Sequence, residues 1–294
     1  MNGYEQLIET IFGIPGESTP LPGEIDDNRR FVGADGRAYL LRISPSNQDP
    51  AMLSFRQSAI AAMGDCPLDT PQVVPTLDGA TWARLDDGRF IHLYTWVDGT
   101  PFSEIGRPAE LAGQIGVAAG TVVNALADVA SGPRPGHFLW DITDAVRIVG
   151  ERADTVTDPL RRRLIDGVLL RIASINYGGL PRQVLHNDLN DEHLMVRDGV
   201  ITGVIDFGDA VYTVRVADLV IACTYAMLDQ DDPVTVAADV IAGYRTVASL
   251  QEVEADVILD FILARLATSV AVSAARGGAN PHHMLTESMA WDLL

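Results

Sequence analysis

Two acids eighteen positions apart, Asp188 and Asp206, stand in the contexts of this chain best suited to chemistry. The first lies in Val184-Leu-His186-Asn-Asp188-Leu-Asn-Asp-Glu-His193, where a polar metal-ligand candidate, His193, follows it by five residues. The second opens Asp206-Phe-Gly-Asp209. Between them two apolar runs flank Asp198-Gly199, a strong short hairpin signal. A hairpin there folds the chain back and carries the Asp206 carboxylate toward Asp188. Two carboxylates so placed could hold a metal-bound phosphate chain and receive the proton of an attacking hydroxyl.

An absence narrows the chemistry further. All 21 basic residues are arginine; the chain has no lysine. Lysine Schiff-base nucleophiles are therefore excluded, as is the Walker-type phosphate loop with its obligatory lysine. Any cation held against a phosphate must be arginine or metal.

The formal net charge of −19 argues against nucleic acid as a partner and against an anionic membrane surface. It would tolerate or attract a cationic small substrate, and it equally fits an acidic protein that is merely soluble. The N-terminal run Met1-Asn-Gly-Tyr-Glu-Gln-Leu-Ile-Glu carries acids where a secretory signal carries basic residues. Val257 to Ala275 is apolar but contains Asp260 and Arg265, and reads as a buried helix. Cys66 and Cys223 lack metal-site spacing and are too few for a disulfide framework. A cytoplasmic protein is the expectation.

At 294 residues the chain suggests about two domains. Asp35-Gly36, Asp78-Gly79 and Asp87-Gly88 each sit between strand-like runs and predict an antiparallel sheet of about five strands. One helix interrupts it, capped by Asp49 with Pro50 in the first turn. After Val97-Asp-Gly99 the periodicity becomes helical, with Asp158-Pro159 and Asp232-Pro233 opening further helices. The reading is α+β. A small sheet lobe with one helix spans 1–97, and a larger, mainly helical lobe spans 98–294.

These motifs together resemble the aminoglycoside phosphotransferase/choline kinase superfamily, which shares the protein-kinase-like bilobal fold, and within it the hydroxylysine kinase group. Ala34-Asp-Gly-Arg-Ala-Tyr-Leu-Leu-Arg42 resembles the nucleotide-covering hairpin and phosphate-contacting strand, and Leu93-Tyr-Thr95-Trp96-Val97 the hinge. Leu139-Trp140-Asp141 resembles the group's Trp-Asp element. Arg265-Leu-Ala-Thr-Ser-Val, with Asn280-Pro and Ala290-Trp291, resembles its closing helix and tail.

The resemblance implies a role for each matching position. Asp188 corresponds to the catalytic aspartate, and Asp206 to the aspartate holding Mg²⁺ between the phosphates of ATP or GTP. His186 corresponds to a packed residue supporting the loop, and Asp218 to an acid bracing it from the following helix. Arg42, Gln57, Thr95, Trp96 and Val97 correspond to nucleotide-binding positions. Three departures follow. Arg42 replaces a lysine. Gln57 replaces the glutamate that pairs with that lysine in many kinases, so an Arg42–Gln57 hydrogen bond would replace an ion pair. His193 replaces an asparagine metal ligand, although macrolide phosphotransferases of the superfamily resemble the chain there.

The expected activity is a small-molecule kinase that moves a γ-phosphoryl group to the hydroxyl of an amino acid or amino alcohol such as 5-hydroxylysine. The acid cluster Asp188, Asp191, Glu192 and Asp209 would attract an ammonium-bearing acceptor wherever its carboxylates face the acceptor site. An antibiotic phosphotransferase (macrolide or aminoglycoside) is one alternative. A catalytically silent, nucleotide-binding pseudokinase is the other.

Overall fold

Turn chemistry shapes the front of the chain. In the computed structural model, which describes residues 3–23, 25–133 and 138–277, the chain forms two compact units, Met1–Asp98 and Gly99–Leu294. The closing Asn280 to Trp291 tail lies outside the described residues.

The first unit comprises α1 (Gly3–Phe12), β1 (Gly16–Leu21), β2 (Asp27–Gly33), β3 (Ala38–Ser44), α2 (Pro50–Ala62), β4 (Ala83–Arg84) and β5 (Phe90–Thr95). The strands form one antiparallel sheet in the order β1-β2-β3-β5-β4. Asp35-Gly36 turns β2 into β3 and Asp87-Gly88 turns β4 into β5, with both glycines in the left-handed region. Asp78-Gly79 also turns, but Val73 before it makes only an isolated bridge to Tyr94, so no strand precedes that turn.

Period-two alternation gives the sheet two distinct faces. Tyr39, Leu41 and Ile43 of β3 pack with Ile91 and Leu93 of β5, and Ile8 and Phe12 of α1 join that core. On the opposite face Arg42 pairs in register with His92, and α2 reaches His92 through Gln57. Asp49 caps α2 by accepting from the Ala51 amide, with Pro50 in the first turn. The unit thus has two helices rather than the single one expected. Leu7, Ile8, Ile11 and Phe12 line the inner side of α1 at helical spacing.

The second unit contains β6 (Thr100–Pro101), α3 (Ala112–Ala125), α4 (Ala145–Arg152), α5 (Pro159–Ile172), β7 (Arg182–Leu185), β8 (Leu194–Arg197), β9 (Val200–Val204) and β10 (Val211–Val214). It continues with α6 (Ala217–Ala226), α7 (Pro233–Val247), α8 (Glu252–Ala255) and α9 (Ile258–Ala275). Asp158 and Asp232 cap α5 and α7, each with proline following. The helix at Asp158-Pro159 stops at Ile172, and Gly178-Gly179 falls in a separate short turn. Every residue of α6 is buried, as is most of α9.

Glycine lets α3 and α7 approach to backbone contact. A Cβ on Gly116 would lie 1.8 Å from the Val240 carbonyl oxygen, and one on Gly243 1.9 Å from that of Gly113. Backbone on both sides leaves no flexible atom to yield. Gly243→Ala is therefore expected to cost about 3 kcal/mol of stability, read as a lower urea midpoint. An unchanged midpoint would show that the helices can separate at little cost.

Two short ladders position the chemistry. β7 pairs with β10, and β8 with β9 and β6. The loop between β7 and β8 carries residues 186–193, and the loop between β9 and β10 carries Asp206. Asp198 and Gly199, both at positive φ (53° and 75°), form the two-residue turn between β8 and β9.

Candidate active site

The loop leaving β7 is held by its own backbone amides. The His186 and Asn187 N–H groups donate to the two carboxylate oxygens of Asp218, at 3.1 and 2.7 Å, from the first turn of α6. Asp218 is fully buried; burial pushes its pKa up to about 7, against the pull of those two amide donors. Asn187 adopts a left-handed backbone (φ 65°), which asparagine tolerates better than most residues.

His186 is also fully buried, and its ring stands edge-on to Phe207 at 4.5 Å between centroids. The Asp188 amide donates to its Nδ1 at 3.2 Å, which places the ring proton on Nε2, donating to the Ile205 carbonyl at 3.0 Å. The neutral ring thus ties the 186–188 segment to the residue before Asp206. Burial and the neighbouring His193 lower its pKa to about 4.

Asp188 and Asp206 approach the two nitrogens of one imidazole. His193 Nδ1 lies 2.9 Å from the Asp188 carbonyl oxygen and 3.2 Å from its carboxylate, while Nε2 lies 4.0 Å from Asp206 Oδ2. Burial alone would lower the His193 pKa, but Asp188 and Asp206 outweigh it and raise it to about 10. Burial likewise opposes the Asp188 carboxylate, yet His193 and Arg265 hold its pKa below the ordinary carboxylate value. Asp206 sits at φ 61° and accepts from the Gly208 amide.

Arg265 of α9 was assigned no role by sequence reasoning. Its Nη2 donates to Asp188 Oδ1 at 3.0 Å, across 77 positions of chain. The available signal was a lone arginine in an otherwise apolar helical run, since a buried cation requires a partner.

The acid cluster expected to attract an ammonium group is largely committed elsewhere. Asp191 is fully buried and accepts from Arg107 Nε at 2.6 Å; Arg107 also reaches Asp229 at 3.1 Å. Its buried carboxylate fastens the loop to the segment after β6, which corrects its assignment as a substrate contact. Asp188 is paired with Arg265 and His193, and Asp209 interacts electrostatically with Arg265. Only Glu192 of the four is exposed.

In the first unit Gln57 does not bond Arg42. Its amide donates to the Thr81 carbonyl at 2.9 Å and approaches His92 Nδ1 at 3.2 Å, while its Oε1 is buried without a partner. An arginine offers only donors, so the expected bond would have to use that oxygen. Arg42 Nε instead meets Asn28 Oδ1 at 3.1 Å and Asp26 at 3.5 Å. At the hinge, Thr95 donates to the Gln72 carbonyl and Trp96 to that of Ala38, with Arg30 over the Trp96 ring at 5.2 Å; Val97 is buried.

His92 makes an acid-sensitive element of that unit. Burial, then Arg42 and Arg56, lower its pKa to about 4 from 6.5. A depressed histidine pKa stabilises the fold fully above 6.5, and that stability is lost as pH falls toward 4. The stability of wild type relative to His92→Gln should therefore drop by about 2–3 kcal/mol between pH 7 and 4.5. Urea unfolding at both pH values measures it, and parallel profiles would contradict the burial argument.

The donor set near Asp206 fits a divalent cation shared with phosphate. Among the described residues no group of three or more His, Cys, Asp or Glu forms a protein-only metal cage. Asp206 Oδ2 is one such donor, and His193 Nε2 is a second once a cation displaces its proton; Mg²⁺ commonly takes one or two protein ligands plus phosphate oxygens.

The phosphotransferase enzyme family profile matches residues 17–255. Hydroxylysine kinase of Mus musculus is 23% identical over 323 aligned residues, covering 97% of this chain and 85% of the relative. Among solved structures, an amicoumacin kinase in complex with AMP-PNP and Ca²⁺ superposes with a TM-score of 0.73 at 13% identity, covering 100% of this chain and 92% of that one. A microcompartment-associated aminopropanol kinase gives 0.70 at 15%, covering 99% and 94%. The kinase-like α+β fold is thus shared at identities too low to carry substrate. With the family profile spanning most of its length, this chain belongs to the phosphotransferase enzyme family.

Proposed function

We propose that this enzyme transfers the γ-phosphoryl group of ATP or GTP to a hydroxyl of a small amino acid or amino alcohol, with 5-hydroxylysine as the first acceptor to test. The observation carrying the reading is the convergence of Asp188, His193 and Asp206 at 3.2 and 4.0 Å, built by the β8–β9 hairpin. Similarity to hydroxylysine kinase over 97% of the chain supports the acceptor class.

In this reading Asp188 receives the hydroxyl proton and orients the acceptor oxygen for in-line attack. Arg265 and His193 keep that carboxylate ionised and in place. Asp206 would hold Mg²⁺ together with His193, which would give up its Nε2 proton and keep the Nδ1–H toward Asp188; the ion when bound neutralises charge on the phosphates. Asp218 and His186 fix the loop so that these groups need little reorganisation. In the first unit, Arg42 is the cation offered to phosphate.

The likeness to the amicoumacin kinase, with His193 in a metal-ligand place, favours antibiotic phosphorylation as the second reading. A coupled assay with both nucleotides, across hydroxy amino acids, amino alcohols, aminoglycosides and macrolides, separates the two. Transfer restricted to antibiotics would displace the first reading. Nucleotide binding without Mg²⁺ dependence, and no transfer to any acceptor, would replace both with a silent nucleotide-binding protein.

A further inference from the structure

Among the described residues, five other than glycine stand at positive φ: Arg107, Asn187, Asp198, Asp206 and Asp229. Four are asparagine or aspartate, which enter the left-handed region more readily than other side chains. Arg107, at φ 50°, is the exception. It also precedes Pro108, whose ring disfavours helical backbone in the residue before it. Such strain persists only where surrounding contacts over-determine it, and it gathers at functional sites. Asn187, Asp198 and Asp206 lie on the loop, hairpin and turn of the candidate site. The other two, Arg107 and Asp229, are ion-paired to each other.

The contacts of Arg107 run into the loop that carries Asp188 and His193. Its Nε donates to fully buried Asp191 at 2.6 Å, while Nη1 donates to exposed Asp229 at 3.1 Å. One planar guanidinium thus spans two carboxylates, and its orientation is set from both ends. The Gln230 side chain donates to the Arg107 carbonyl at 2.7 Å, holding the strained backbone from beside Asp229. The Ser103 amide donates to the Asp191 carbonyl at 2.9 Å, so Asp191 is gripped by side chain and backbone alike. Asp191 belongs to a closed turn, in which Asn190 Oδ1 accepts from the Glu192 and His193 amides at 2.9 and 3.2 Å. A shift of Asp191 therefore passes to His193, and from its Nδ1 to the Asp188 carbonyl 2.9 Å away. Asp218 fixes only the opposite end of the loop, at 186–187. A pairing needed merely to neutralise Asp191 would require neither a second acid nor a left-handed arginine.

We propose that Arg107 is a positioning residue for phosphoryl transfer: oriented by Asp229, it holds Asp191 and so fixes where Asp188 and His193 stand. This deepens the small-molecule kinase reading and rests on it.

The test uses Arg107→Lys, Asp229→Asn and the double variant, with circular dichroism to verify folding and urea unfolding to measure the folded fraction. Lysine keeps a cation for Asp191 but has no planar fork to span both acids. Asparagine suits the left-handed backbone at 229 and removes only the charge. Arg107→Lys should lower kcat about 30-fold and leave KM for nucleotide and acceptor within about threefold, because a displaced loop affects the transition state more than binding. Asp229→Asn, at an exposed position, should lower kcat about fivefold. The double variant should be no slower than Arg107→Lys, since Asp229 acts through Arg107; losses that multiply overturn that route. A kcat within about twofold of wild type in both single variants overturns the clamp and leaves the kinase reading intact. So does a loss of kcat fully accounted for by lost folded protein. If wild type phosphorylates no hydroxyl compound, the kinase reading fails instead, and hydrogen exchange of the 186–197 amides decides the clamp. Faster exchange there in both single variants, with α9 unchanged, supports it, and unchanged exchange overturns it.

Discussion

Asp188→Asn is expected to reduce kcat about a thousandfold while nucleotide affinity changes little. The carboxylate is the group placed to take the acceptor proton, and positioned general bases commonly contribute 10²–10⁴-fold. An amide has the same shape and can still accept from Arg265 Nη2, which lies 3.0 Å from Asp188 Oδ1. It cannot take a proton. The substitution also removes the negative partner of both Arg265 and His193, so stability should fall by about 1–3 kcal/mol. Single-turnover rates, nucleotide titration and urea unfolding separate the effects. A rate within tenfold of wild type would show that Asp188 is not the base.

Asp206→Asn should remove the metal-dependent part of nucleotide binding and lower kcat/KM by more than about 100-fold. Asparagine is the informative replacement because Asp206 sits at φ 61°, which asparagine adopts readily. Its side-chain oxygen can also continue to accept from the Gly208 amide. The backbone turn is therefore kept and only the charge is lost. Asp206→Ala would mix the loss of charge with backbone strain and a lost turn hydrogen bond. A thermal-shift series with ATP, with and without Mg²⁺, gives the readout, and a Mg²⁺-dependent shift of wild-type size in Asp206→Asn would remove Asp206 from the metal site.

Much of the architecture around these acids was legible because it rests on local rules. Asp198-Gly199 can form a two-residue hairpin because both positions accept positive φ. Asp49, Asp158 and Asp232, each followed by proline, cap helices through their own side chains. His186 is fully buried, and Asp218 accepts from the amides of His186 and Asn187. The helix α1 was overlooked although its apolar spacing was present.

The misassigned contacts share one cause. The chain's own residues decided that residues 184–209 form a loop, a hairpin and a turn, because each depends on neighbours within a few positions. Which buried charge meets which was decided only by tertiary packing. Arg107 meets Asp191 across 84 positions and Arg265 meets Asp188 across 77. Gln57 turns to Thr81 and His92 instead of Arg42. Periodicity marks the face of an element that will be buried, but carries no information about the partner waiting there, since that partner is brought by a separate element whose position depends on the whole core.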